Sequence, residues 1–396
     1  MKVGITCYPT YGGSGALATE LGIALAHRGH EVHFITYQQP FRLPAFTPRI
    51  YFHEVDVGRY PLFEYPPYDL ALAVRMHEVT LAHGLDLLHC HYAIPHATSA
   101  WIAQEMLRQA RRDIRVVTTL HGTDITIVGQ DPSFRPITKF SIEKSDGLTA
   151  VSRYLQTETL TTFGCTACRI EVIPNFIDPD VYDRSRYPSP FAEHVDAGKR
   201  VLIHVSNFRS VKRVTDVVKI FAAVEREIPS VLMMVGDGPD RVDAEAEVRA
   251  LGLQDRAFFL GKIEAVAPLL AGADLFLLPS STESFGLSAL EALASGVPVI
   301  GSNAGGLPEV VRDGETGFLC EVGDVDAMAA AGVSLLRDRS RWHAMSELAA
   351  RDARDRFSLD EIVGEYEAFY EYTLASPSRA ERNAARHAAP VPRGAA

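Results

Sequence analysis

Apolar and polar positions along this chain fall into blocks whose period keeps switching. Residues 2–8 form a short apolar, β-prone run, residues 9–15 a Pro/Gly-rich turn, and residues 16–28 carry Leu17, Leu21, Ala24 and Leu25 at helical spacing until Gly29. A second strand is expected at 31–36, and apolar runs at 85–89, 116–120, 147–151 and 171–173 alternate with helical stretches. Strands separated by helices in this way predict a parallel sheet covered on both faces. After Asn175 the pattern breaks, with Asp, Pro and Tyr crowded into 178–190. It restarts with apolar runs at 201–205, 231–235, 257–260, 275–278 and 297–301 and an amphipathic helix at 215–228. Beyond Val325 the spacing is helical, ending in a helix at 359–373 with Ile362, Tyr366, Phe369 and Tyr370 on one stripe.

The expectation is an α/β protein of two Rossmann-like, doubly wound domains: 1–176, a hinge at 177–199, 200–357, a C-terminal helix at 358–375 and a disordered tail at 376–396. Open sheets of this class bind ligands beyond the carboxyl ends of their strands, so two such domains would share a central cleft.

Composition narrows the function. A chain of 396 residues, 47% hydrophobic and 22% charged, excludes disordered, collagenous and disulfide-scaffold classes. The net charge of −11 argues against nucleic-acid binding and stable membrane association, and leaves room for a small anionic ligand. No apolar run approaches the ~18 residues of a membrane span. Five cysteines, an odd count, behind an N-terminus that reads as a strand suggest a cytoplasmic protein with free thiols. Cys165 and Cys168 have redox spacing, but they stand in a link before a strand rather than opening a helix, and read as structural. Ten of the 14 histidines precede residue 180, which concentrates near-neutral polar chemistry there. His89, His91 and His96 have metal-like spacing with no acidic or cysteine ligand to complete a set, so no metal site is expected.

The first turn, Gly12-Gly13-Ser14-Gly15-Ala16-Leu17-Ala18, satisfies G-x-G-x-x-A, but the second strand ends in Thr36-Tyr37-Gln38-Gln39, without the acid that holds a dinucleotide ribose. What remains is a tight turn, or a backbone able to approach an anion at a helix start. The run Ser280-Ser281-Thr282-Glu283-Ser284-Phe285-Gly286-Leu287-Ser288-Ala289-Leu290-Glu291 follows a strand and opens a helix near Gly286. Amides of Ser284, Phe285, Gly286, Leu287 and Ser288 would face an anion such as a diphosphate. Carboxylates beside an anion are tolerable when they accept from hydroxyls, of a sugar at Glu283 and a ribose at Glu291; a capped helix with a solvated glutamate is the plainer alternative.

The pair Glu283 and Glu291 resembles the E-x7-E signature of retaining glycosyltransferases of the GT-B fold. So do Ala304-Gly305-Gly306-Leu307-Pro308-Glu309-Val310, Asp313-Gly314-Glu315-Thr316-Gly317-Phe318 and Val235-Gly236-Asp237-Gly238-Pro239, with similarity across 2–372. A closer resemblance is to one branch, the N-acetyl-α-D-glucosaminyl L-malate synthases of bacillithiol biosynthesis. It rests on Gly4-Ile5-Thr6-Cys7-Tyr8-Pro9, Tyr65-Pro66-Pro67-Tyr68-Asp69-Leu70, His91-Tyr92-Ala93-Ile94-Pro95-His96, Thr119-Leu120-His121-Gly122-Thr123-Asp124 and His204-Val205-Ser206-Asn207-Phe208-Arg209.

The resemblance implies transfer of N-acetylglucosamine from UDP-GlcNAc to L-malate. Glu283 would meet the donor sugar, Glu291 the ribose, His121 the sugar near its anomeric centre, and Lys212 the diphosphate. Where the superfamily usually has an arginine this chain has Asn207, and Arg209 is expected to contribute instead. Gly13 and Gly236 join the donor site. Gly12, Ser14, Tyr92, Thr119 and Asn207 join the acceptor site, although Tyr92 and Thr119 also fit as buried hydroxyls satisfied by backbone. No D-x-D element is placed to hold a divalent ion, so neither metal nor cofactor is expected. The family further implies a final helix that crosses back to the first domain; closure is expected because the donor would bind chiefly to the second domain and the acceptor to the first, and homo-oligomerisation is left open. Competing readings are a related enzyme with a lipid or phosphosugar acceptor, a nicotinamide-dependent oxidoreductase, and a non-catalytic sugar-nucleotide binding module.

Overall fold

The apolar runs pair side by side into two parallel sheets. In the first, β1 (Lys2–Thr6), β2 (Glu31–Thr36), β3 (Ile50–Glu54), β4 (Leu87–His91), β5 (Arg115–Leu120), β6 (Gly147–Ala150) and β7 (Ile170–Val172) lie in the order β3-β2-β1-β4-β5-β6-β7. In the second, β8 (Arg200–Ser206), β9 (Ser230–Gly236), β10 (Ala257–Gly261), β11 (Leu275–Leu278), β12 (Val299–Ser302) and β13 (Gly317–Cys320) lie in the order β10-β9-β8-β11-β12-β13. The computed structural model describes residues 1–10, 12–58, 64–126, 128–165, 168–378 and 381. It divides into two units, residues 1–173 together with those from Ile362 onward, and Pro174–Glu361. In each sheet the strand order reverses at one place, between β1 and β4 and between β8 and β11. Loops at such a switch point diverge to opposite faces and leave a crevice at the strands' carboxyl ends.

Several elements depart from the expectation. Edge strands β3 and β13 were not anticipated: β3 exposes Tyr51 and Phe52, so it lacks an apolar run, and each is made a strand by its pairing with β2 or β12. The first helix, Gly13–His27, begins three residues early because extended Gly12 ends the turn and admits Gly13 and Ser14 to the first helical turn. The stretch 177–199 is not a free linker. It belongs to the second unit, where Arg184 donates to the Ala271 and Ala273 carbonyls at the end of the helix Ala267–Ala271. The Ala271 carbonyl ends its helix without an intrahelical donor, and the guanidinium supplies one.

The final helix, Leu359–Ala375, joins the first unit from Ile362 on; there Tyr370 meets His89 Nδ1 at 2.7 Å and Glu367 accepts from Arg28 at 2.6 Å. Most of the tail expected to be disordered, 382–396, lies outside the described residues. The thiol expectation needs a correction as well. Cys165 and Cys168 are joined in a disulfide, because left-handed Gly164 ends the helix Arg153–Phe163 and turns the chain until their Cα atoms are 5.5 Å apart. Cys7 and Cys90 are buried thiols, and burial pushes Cys7 up to about 12, which leaves it protonated and inert.

Candidate active site

In the first unit the switch-point loops follow β1 and β4. Gly15 has to be glycine: a Cβ there would run into the Tyr8 carbonyl and stand 3.0 Å from that of Thr10. The close approach starts the helix Gly13–His27 directly at the turn, and the N–H groups of its first turn have no acceptor within the helix. Ser14 Oγ in that turn hydrogen-bonds Tyr92 OH at 2.7 Å. Tyr92 has φ of 88°, a costly region for a residue with a side chain, and its N–H is tied to the Thr119 carbonyl at 2.9 Å.

His89 and His91 stand two apart on β4 and so share a face. His91 Nδ1 meets His121 Nε2 at 2.8 Å, His121 coming directly after β5. The Asp124 carboxylate accepts N–H bonds from Ala93 at 2.9 Å and Gly122 at 3.1 Å, which locks the two loops together. Burial raises Asp124 to about 6. It also pushes His121 down to about 3 and His91 well below the usual imidazole range. Both imidazoles are therefore neutral near pH 7 and act as hydrogen-bonding groups rather than cations. His91 Nε2 is buried with no partner among the described residues, a polar atom that a ligand or water would satisfy.

In the second unit the equivalent loops follow β8 and β11. Gly236, at φ of 121°, and Gly238 press on the loop after β8; a Cβ on Gly238 would strike the Asn207 carbonyl. The loop then delivers Lys212, whose Nζ lies 2.6 Å from Glu283 Oε1, while Ser280 Oγ donates to the same oxygen at 2.7 Å. The two side chains are only 18% and 10% exposed, so this pair is poorly screened by water. Gly305 and Gly306 brace the loop from behind: the Gly306 N–H donates to the Glu283 carbonyl at 2.7 Å, and a Cβ on either glycine would strike the backbone of Glu283 or Ser284. Gly286, at φ of 100°, opens the helix Leu287–Ala294. One turn along it, Glu291 Oε1 accepts from Tyr182 OH at 2.6 Å.

The structure thus gathers Gly12, Gly13, Ser14, Tyr92 and His121 in the first unit. It gathers Lys212, Glu283, Ser284, Gly286, Ser288 and Glu291 in the second, with Asn207 and Arg209 exposed on the β8 loop and Gly236 beneath it. Thr119 departs from its expected acceptor role. It is fully buried, and its hydroxyl is spent on His89 Nε2 and Thr149 Oγ1, both at 2.7 Å. It positions Tyr92 through its carbonyl instead. Phe285 is buried against Phe357, ring centroids 5.6 Å apart, so only its backbone can face a ligand; Leu287 sits half-buried in the first turn. Asp124, Ser280 and Tyr182 were not anticipated in the site, and His91 was weighed only as a metal ligand. The alternation His89-Cys90-His91 was the one local signal for a shared histidine face.

A model of the Glycosyltransferase Family 4 domain matches residues 11–181, and one of the glycosyl transferases group 1 matches residues 187–352. A Bacillus anthracis protein named N-acetyl-alpha-D-glucosaminyl L-malate synthase is 49% identical over 371 residues, covering 93% of this chain and 96% of its own. The chain belongs to this family of glycosyltransferases. A glycogen synthase of Mycobacterium tuberculosis is a more distant relative, 29% identical over 88% of this chain and 87% of its own. Among solved structures, sucrose-phosphate synthase from Thermosynechococcus elongatus matches with a TM-score of 0.75 and 24% identity, over 95% of this chain and 100% of that one. HepE from Anabaena, in complex with UDP and glucose, matches with a TM-score of 0.74 and 20% identity, over 95% and 100%. The glycosyltransferase has the GT-B fold of these structures, and among its described residues no helix is long and apolar enough to cross a membrane.

Proposed function

We propose that this glycosyltransferase moves N-acetylglucosamine from UDP-GlcNAc to the hydroxyl of L-malate with retention at the anomeric carbon, releasing UDP, in the cytoplasm and as the first step of bacillithiol biosynthesis. The observation that carries this is the 49% identity spread over nearly the whole of both chains, with a relative whose name states that product.

The geometry supports a division of labour. Lys212 and Arg209, with the N-terminus of the helix Leu287–Ala294, supply positive potential for a leaving diphosphate. Glu283, held by Lys212 and Ser280, keeps acceptor capacity for donor-sugar hydroxyls, and Glu291 for the ribose. Ser14, Tyr92 and the amides of the first turn suit a small dianion, which needs donors rather than an apolar wall, and Asn207 on the second unit's β8 loop carries an amide of the same kind. Neutral His121 is the first unit's hydrogen-bonding group for the sugar, as the family resemblance implies. In the reaction the bond from the anomeric carbon to the diphosphate oxygen breaks, the malate oxygen bonds to the same face, and its proton passes to the departing phosphate oxygen. The chain's own cations carry the leaving-group charge, so no divalent ion or cofactor takes part.

The test is UDP release from UDP-GlcNAc with and without L-malate, in a chelator and with no added metal. Malate-dependent UDP and an α-linked product are expected. Release indifferent to malate, or a requirement for added Mg²⁺, would overturn the proposal.

A further inference from the structure

Outside that site, three more histidines converge at the other side of the first sheet. His33 on β2 is fully buried, while His53 on β3 and His83 at the end of the helix Tyr68–His83 are half-buried. One ligand atom from each falls within 4.8 Å of the others. Their ring centroids are 5.1 Å apart for His33 and His53, 4.6 Å for His33 and His83, and 5.0 Å for His53 and His83.

The protons can be placed. Glu31 Oε1 only accepts, so His33 Nε2, 3.0 Å away, carries the hydrogen and donates to it. His33 Nδ1 is then a lone pair, and the 2.9 Å contact to His53 Nε2 is a hydrogen bond donated by His53. Lys2 Nζ completes a supporting shell, 3.1 Å from Glu31 Oε1 and donating to the His83 carbonyl at 3.0 Å. An imidazole whose far nitrogen donates to a carboxylate is oriented and made more basic at the near one, which is how metal-bound histidines are commonly held.

We propose that His33, His53 and His83 bind a divalent transition-metal ion of the zinc and cobalt class, through His33 Nδ1, His53 Nε2 and one nitrogen of His83. Nitrogens bound to one such ion at about 2.0–2.1 Å stand about 3.3 Å apart in a tetrahedron, so small side-chain rotations close the set. Binding shifts the His53 proton from Nε2 to Nδ1 and releases none. Three imidazoles and no carboxylate ligand disfavour Mg²⁺ and Ca²⁺, which take oxygen. The ion would clip edge strand β3 and the helix Tyr68–His83 onto β2. In the sheet order β2 lies two strands from β4, about 10 Å, so this cluster is separate from His91 and His121.

Titration of the full chain with Co²⁺ should give one equivalent of visible d–d absorption, displaced by Zn²⁺ and untouched by millimolar Mg²⁺, and Zn²⁺ should raise the melting temperature. His53→Gln and His83→Gln, each checked for folding by circular dichroism, should weaken Co²⁺ binding at least tenfold, abolish the thermal shift and keep glycosyl transfer. The inference fails if the wild-type chain gives no such absorption. It fails equally if both variants bind as wild type does, or if His121→Gln removes the signal.

Discussion

His89, His91, His96 and His204 are, with His33, the buried histidines among the described residues. Burial holds His89 at about 3, His96 and His204 at about 4, and His91 well below the usual range, against about 6.5 in an unfolded chain. A depressed folded pKa means that stability is present above pH 6.5 and lost as pH falls toward the folded value, because the unfolded chain then binds more protons. Each histidine contributes a slope of about 1.4 kcal/mol per pH unit in that window. Asp124 acts the other way: raised to about 6, its carboxyl is relieved as pH falls from 6 toward 4, and it offsets about one histidine. The urea midpoint should be flat above pH 7 and fall steeply from pH 6.5 to 4.5; a midpoint unchanged between pH 7 and 5 would contradict neutral burial. At this scale Glu283 and Glu291 were legible as a spaced pair of carboxylates about a helix start, whereas His121 and Lys212 were named through the resemblance to the retaining glycosyltransferases. Tyr182 was not, because it reaches Glu291 from 109 positions away.

Among the elements, the glycine pairs do the positioning. Gly306→Ala would drive its Cβ into the Ser284 carbonyl and displace Glu283, whose own carbonyl accepts the Gly306 N–H. A cost of about 1–3 kcal/mol is expected, with KM for UDP-GlcNAc raised tenfold or more. Gly314→Ala is the contrast. Gly314 has φ of 75° and open space around its would-be Cβ, so the substitution should cost about 1 kcal/mol of backbone strain and leave kinetics within about twofold. Equal kinetic damage from both would mean that the Gly305-Gly306 brace has no special hold on Glu283. These motifs were readable as glycine strings, but the surface each one presses on is brought there by a different strand.

At the scale of the whole molecule, the net charge of −11 is a bulk property that the anion-facing groups must overcome locally. Hydrogen exchange with each ligand tests where they do so. UDP should slow exchange at 206–213 and 283–291, and L-malate at 12–17, 91–93 and 121–124; a ligand at 100 times its Kd adds about 2.7 kcal/mol. Malate protection confined to the second unit would overturn the acceptor assignment. What the amino-acid order determined by itself was everything carried by a local window: the alternation of strands and helices, the restart after Asn175, the glycine turns and the paired glutamates. Only the tertiary structure decided the edge strands β3 and β13, the docking of 177–199, the disulfide, the use of the Thr119 hydroxyl, and the meeting of His33 with His53 and His83. Each depends on which distant residue supplies a hydrogen-bond partner or a packing surface, and chain-distant contacts leave no period in the sequence to read.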